Sequence, residues 1–329
     1  MIKVVAGLLV GIIAAGWPSA AQAYLKFGVR IGSTVVDVKW SRPIQYFVTE
    51  RAVAGVTVPE LRDAVARAFG SWQGVGTASV QSQFQGLTTV PPGLQDGRTT
   101  FGFLDRPDLD RVLGATSFLL DATTGEIVEA DVFFNSRFNW STAPGGEAGR
   151  VDLESIALHE IGHLLGLGHS ALGETEMIAG GRRVIASGAV MFPIAFSAGS
   201  TADRQLQPDD VAGISDLYPA PGFSAETSTI SGRITKNGDG VFGAHVAAFN
   251  LETRALVGGF ALDSRGEFVI AGLEPGTYIV RAEPLDDADP ESFVTGPVDV
   301  DFAVGYGPRI ITAPRGGGSN PVEVQVRQK

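Results

Sequence analysis

Residues 159–169 read HEIGHLLGLGH, and this stretch limits the 329-residue chain more than any other. Asp152 is a good helix N-cap, and Leu153, Ile156, Ala157, Ile161, Leu164 and Leu165 recur behind it at helical spacing. On such a helix His159 and His163 lie one turn apart and face the same way. Gly166 has no Cβ, so the chain can leave the helix sharply there and bring His169 back toward the other two. Three imidazoles converging in this way suit one Zn2+ ion at about 2.0–2.1 Å, with a fourth position left open for water. Glu160 follows the first imidazole and falls beside that position. There its carboxylate can take a proton from metal-activated water and pass it to a leaving amine. The opposing reading is a buried helix of ordinary histidines. It would bury three clustered imidazoles unpaired, which is costly, and three of the chain's four histidines fall in this one segment.

The rest of the chain divides by texture. Lys3, the apolar run Val4 to Ala15 and the small-x-small pattern Ala21-Gln22-Ala23 read as a signal peptide, residues 1–23. The run is shorter than the roughly 20 residues a bilayer span requires, and no later stretch is long and apolar enough to replace it. Export to an extracellular or periplasmic space is therefore expected. Ile44 to Val48 reads as a strand. Thr57-Val58-Pro59-Glu60 is a capping box, followed by Leu61, Val65, Ala68, Phe69 and Trp72 on one helical face. Thr99–Leu104, Ala115–Leu120 and Ile127–Phe134 are β-rich runs, with Asp121 to Gly125 as a hairpin turn. Ser170 to Leu206 reads as a long irregular segment. A third helix begins near Pro208 and carries Val211, Ile214 and Leu217 on one face.

From residue 226 onward, short β runs punctuated by Asn237-Gly238, Asp239-Gly240 and Pro275-Gly276 suggest a β-sandwich. The expected fold class is α+β followed by a small all-β sandwich. Residues 24–219 form the first domain, 220–225 a linker and 226–329 the second. Cysteine is absent, which excludes thiolate ligands, thiol nucleophiles and disulfides. A net charge of −11 repels phosphate backbones, so nucleic acid is excluded as a partner. Oligomeric state is not readable.

The motif HExxHxxGxxH resembles that of the metzincin metalloendopeptidases. Gly188-Ala189-Val190-Met191-Phe192-Pro193 resembles their methionine turn, which makes Met191 the apolar floor of the site and not a ligand. Within that clan the chain is most similar to the matrixins, the matrix-metalloproteinase-like family. His169-Ser170 and the segment Gln207-Pro208-Asp209-Asp210-Val211 through Leu217-Tyr218 carry the similarity. The resemblance implies a zincin-type catalytic domain, a mixed twisted sheet with an active-site helix. It also implies a protein or peptide substrate paired along an edge strand, Leu113 to Leu119. It implies that Asp209 and Asp210 support the methionine turn and nearby backbone from behind. Ca2+ in the Asp121 to Asp131 region and a plain polar hairpin there are both open readings.

The departures are specific. No histidine precedes His159, so a second, upstream zinc site is absent, and a cysteine latency switch is impossible. Pro193-Ile194-Ala195 lacks the tyrosine that the family often places there, with Phe196 as the nearest aromatic. The second domain resembles carboxypeptidase-regulatory-like modules through Ser231-Gly232-Arg233-Ile234 and Leu273-Glu274-Pro275-Gly276-Thr277-Tyr278. His245 reads there as an ordinary strand residue. The expected activity is zinc-dependent endopeptidase. The alternatives are a non-catalytic, zinc-stabilised binding or surface-interaction protein, and a zinc hydrolase of a non-peptide substrate.

Overall fold

The amphipathic stretch behind Thr57 forms helix α1, Val58–Gln73, and the capping box closes as the sequence predicts. The helix buries Leu61, Ala64, Val65, Ala68, Phe69 and Trp72. These side chains meet a five-stranded sheet ordered Ser82–Thr88, Ile44–Thr49, Thr99–Leu104, Ile127–Asn135, Gly114–Leu120. The first four strands run parallel and the last antiparallel. That last strand connects to its neighbour through the turn at Asp121, whose carbonyl accepts from Gly125 N–H. Among the described residues Gly114–Leu120 is an edge strand, with one side unpaired. The computed structural model describes residues 22–23, 26–32, 34–179, 181–285, 293 and 297–329. The expected signal peptide lies, apart from Gln22 and Ala23, outside the described residues. Among the described residues no helix is long and apolar enough to cross a membrane.

Helix α2, Leu153–Leu164, lies against α1, and Trp72 Nε1 donates to Leu158 O at 3.0 Å. Asp152 caps its N-terminus by accepting from Ser155 N–H at 2.9 Å, and Arg204 is paired to the same carboxylate. Its other end closes in a Schellman turn. Gly166 N–H bonds His163 O and Leu167 N–H bonds Gly162 O. Glycine is required at 166 twice over: φ is +104°, and a Cβ there would lie 2.1 Å from Val38 O. Two orphan carbonyls beyond the last turn find side-chain donors. Trp40 Nε1 reaches Leu164 O at 2.9 Å, and Tyr218 Oη reaches Leu165 O at 2.7 Å.

One expectation needs correction. The segment from Ser170 to Leu206 is not irregular throughout, because Gly173–Ile178 and Gly181–Ser187 pair as an antiparallel hairpin. Its strands are polar and largely solvated, so they show no buried alternation, and Met177 is 71% exposed. The stretch after the third helix, α3 (Pro208–Leu217), is ordered. Pro219 bridges to Ala78, and Phe223–Glu226 is a short helical turn.

The C-terminal strands form two sheets around their own apolar core. One contains Leu256–Phe260, His245–Asn250 and Gly276–Glu283. The other is built on Ser228–Lys236, flanked by Glu267–Leu273 and, in parallel, by Val322–Val326. The chain's last stretch thus completes the sandwich instead of trailing from it. Ala212 of α3 is packed in this second core.

Candidate metal centre

Helix α2 presents His159 and His163 on one face, and the Schellman turn carries the chain round to His169. All three are buried, and one ring nitrogen of each lies within 4.8 Å of the others. The tautomers follow from the second nitrogens. His159 Nδ1 donates to Val190 O at 2.7 Å, and His163 Nδ1 donates to Leu167 O at 2.8 Å. Each bond leaves the Nε2 lone pair directed into the cluster. Among the described residues His159 Nε2 has no partner, and His163 Nε2 stands 3.2 Å from His169 Nε2. Where neither ring donates to the other, two lone pairs that close repel unless a cation lies between them. Nitrogens around a tetrahedral zinc at about 2.05 Å would be roughly 3.3 Å apart. The donor set fits Zn2+. Burial holds His159 down at about 3 and His163 well below its ordinary value, so both rings stay neutral and able to ligate.

Glu160 is fully buried beside these rings. Thr116, on the edge strand, donates its hydroxyl to Glu160 Oε2 at 2.8 Å, and Oε1 has no partner. A Cβ on Gly114 would lie 3.2 Å from Oε1, so the edge strand leaves room where the carboxylate points. Burial pushes this carboxyl up to about 8, with the Thr116 hydroxyl pulling it down. A dication among the imidazoles would pull the same way.

Met191 is buried beneath the helix, and its turn touches the site through main-chain atoms. Val190 O takes the His159 ring, and Met191 O accepts from Ser170 N–H at 2.9 Å. Asp210 holds that turn. Its Oδ2 accepts from Val190 N–H at 2.8 Å and its Oδ1 from Met191 N–H at 3.1 Å. Burial and the adjacent Asp209 push Asp210 up to about 7. Asp209 parts company with it. Its carboxylate bonds the Ser170 hydroxyl and, at 2.7 Å, the N–H of Gly258 in the C-terminal sandwich. His245, buried in its strand and outside the imidazole cluster, bonds Glu283 through Nδ1 at 2.8 Å beside that contact.

Three residues at the site carried no sequence signal that was read. Thr116 is 44 positions from its partner, and no local pattern links them. Gly162 is a different case. A Cβ there would fall 2.2 Å from Met191 Sδ, so the helix can sit on the methionine only with glycine at this position. Glycine inside a helix costs about 1 kcal/mol, and that cost was the available signal. Phe293, whose ring lies 6.4 Å from that of His169, is the third.

Comparison with known proteins agrees with this geometry. The matrixin family model matches residues 39–219. Metalloendoproteinase 2-MMP of Arabidopsis thaliana is 33% identical over 184 residues, covering 51% of this chain and 40% of the relative. Metalloendoproteinase 1-MMP of the same plant is 30% identical over 212 residues, 61% and 50% of the two chains. Karilysin of Tannerella forsythia is 26% identical over 201 residues, 60% and 37%. The chain thus spans about half or less of the length of these relatives. The matched stretch runs from Lys39 to Pro219, takes in all three imidazoles, Glu160 and the methionine turn, and occupies more than half of the sequence, so this chain belongs to the matrixin family.

Proposed function

We propose that the chain is an exported zinc-dependent endopeptidase acting on extracellular or periplasmic protein. The observation that carries this reading is a fully buried carboxylate, Glu160, with one oxygen that has no partner among the described residues, beside three clustered imidazoles. His159, His163 and His169 are the zinc ligands. Bound zinc supplies Lewis acidity toward water and the scissile carbonyl. Glu160 Oε1 accepts a proton from the attacking water and then delivers it to the departing amine. Thr116 keeps Oε2 occupied, so the free oxygen faces the reaction. The edge strand Gly114–Leu120 offers its open side to an extended substrate backbone, which holds the peptide across the site through main-chain bonds. A purely structural zinc site has no use for a base kept dry and half-unpaired beside its ligands, which disfavours the binding-protein alternative.

Purified protein is expected to hold about one zinc per chain and to cleave unfolded casein. Glu160→Ala is expected to keep the metal and lose on the order of 10²–10⁴-fold in kcat. Metal-free protein would remove the site. Undiminished cleavage by the variant would move the base elsewhere, and failure of the unsubstituted chain to cleave would favour the binding reading.

A further inference from the structure

Two of the three imidazoles sit on one helix, and the helix fixes their spacing. The third does not. His169 lies on a loop, so its position depends on whatever holds residues 170–172. Ser170 is tied to Met191 O through its N–H and to Asp209 through its hydroxyl, and its Oγ accepts from Leu172 N–H at 3.2 Å. Ala171 is buried against Phe260, Leu262 and Leu285 of the sandwich. Leu172 is buried with Ala189 of the methionine turn and Ala247 of the sandwich, with Leu256 packed against them. Asp209 completes the chain of contacts by accepting from Gly258 N–H at 2.7 Å.

Gly258 is the point of closest approach. A Cβ there would lie 3.2 Å from Leu172 Cγ and 2.9 Å from His245 Nε2. The bare backbone of this strand therefore lets Leu172 and the Asp209 carboxylate reach the sheet together. Each of residues 170–172 rests on the sandwich, directly or through one carboxylate. The backbone bonds to the methionine turn alone leave the outer side of this loop bare.

We infer that the C-terminal sandwich is a positioning element of the metal site, setting the place of His169 through Gly258, Asp209 and Leu172. The inference rests on the zinc reading above. It makes the sandwich a part of the catalytic unit and not a separable accessory module. Partners that orient a ligand from behind typically govern metal affinity by 10–100-fold.

The test uses the full chain loaded with zinc or with cobalt. Gly258→Val, the milder Gly258→Ala and Asp209→Leu are compared with the unsubstituted protein, and Asp209→Asn serves as the conservative variant. The readouts are the rate at which a chelator strips zinc, the visible spectrum of bound cobalt, and the unfolding midpoint of the metal-free protein. Gly258→Val and Asp209→Leu are expected to lose zinc on the order of tenfold faster and to shift the cobalt spectrum, with the metal-free midpoint little changed. Asp209→Asn, which keeps an acceptor for Gly258, is expected to recover much of the difference. Stripping rates and spectra indistinguishable from the unsubstituted chain overturn the inference. So does faster stripping matched by an equal fall in metal-free stability, which would assign the face to general packing. Where Gly258→Val or Asp209→Leu yields no folded protein, Gly258→Ala decides by the same criteria. If the unsubstituted chain binds no zinc, the functional reading itself fails. If it binds zinc and cleaves while the variants match it, only the positioning role fails.

Discussion

Gly162 sits between the two helical imidazoles and shows how tightly single residues are fitted here. A methyl group there would overlap Met191 Sδ, whereas one on Gly70, exposed on α1, would touch nothing within 4 Å. Gly162→Ala is expected to destabilise by about 1–3 kcal/mol through overpacking. Gly70→Ala should stabilise by about 0.5–1 kcal/mol through helix propensity. Urea unfolding of the two variants checks the opposite signs. Thr116→Val tests the brace on Glu160. It leaves Oε2 buried without a donor, so kcat is expected to fall on the order of tenfold with KM little changed, in steady-state assays on a quenched peptide. The motif made His159, His163, His169 and Glu160 legible, because helical periodicity brings i and i+4 together and a glycine reverses the chain. Thr116 and Gly258 were not legible, since each meets a partner more than forty positions away on another element, with no repeat or spacing to announce it.

At the scale of elements, the loop over residues 89–98 and the start of the strand after it are pinned to the strand Ile127–Asn135 by two buried carboxylates. Glu129 accepts from Gly97 N–H, and Asp131 accepts from Gly93 and Thr100 N–H. Burial nonetheless dominates at Asp131 and pushes it from 3.8 up to about 7, with Glu129 and Asp96 adding to the rise. The folded state therefore binds a proton that the unfolded chain has released between those values. Stability is greatest below the unfolded value and is lost as pH rises through about 7. In metal-free protein, unfolding free energy should fall from pH 5 to pH 8. Glu160 and Asp210, raised in the same way, add to the fall, so Asp131→Asn, which does not titrate, should lessen that slope without abolishing it, read by denaturant titration at each pH. The hairpin Gly173–Ile178 and Gly181–Ser187 escaped the sequence because it is held by exposed cross-strand pairs such as Glu176 with Arg183. Strand signals depend on one buried face, and among its described residues this hairpin buries a single side chain well, Val184.

For the whole molecule, the buried imidazoles couple metal to folding. With these ring nitrogens crowded together, zinc should stabilise the folded chain by RT ln(1 + [Zn]/Kd), about 4 kcal/mol at a thousandfold excess over Kd. A chelator should lower the thermal midpoint, and added zinc should restore it. Calorimetry with and without chelator measures the shift, and no shift would count against a ligand set built from these rings.

The sequence by itself determined the local things. These are the capped helices, the strand runs, the glycine turn and the histidine spacing, all set by periodicities of a few residues and by backbone sterics. Only the tertiary structure decided which surfaces meet. It set Asp210 against the methionine turn and Asp209 against Gly258, and it laid Val322–Val326 beside Ser228–Lys236. Contacts between residues tens of positions apart are selected by packing and by the need to satisfy buried polar groups, and no short-range pattern records that choice.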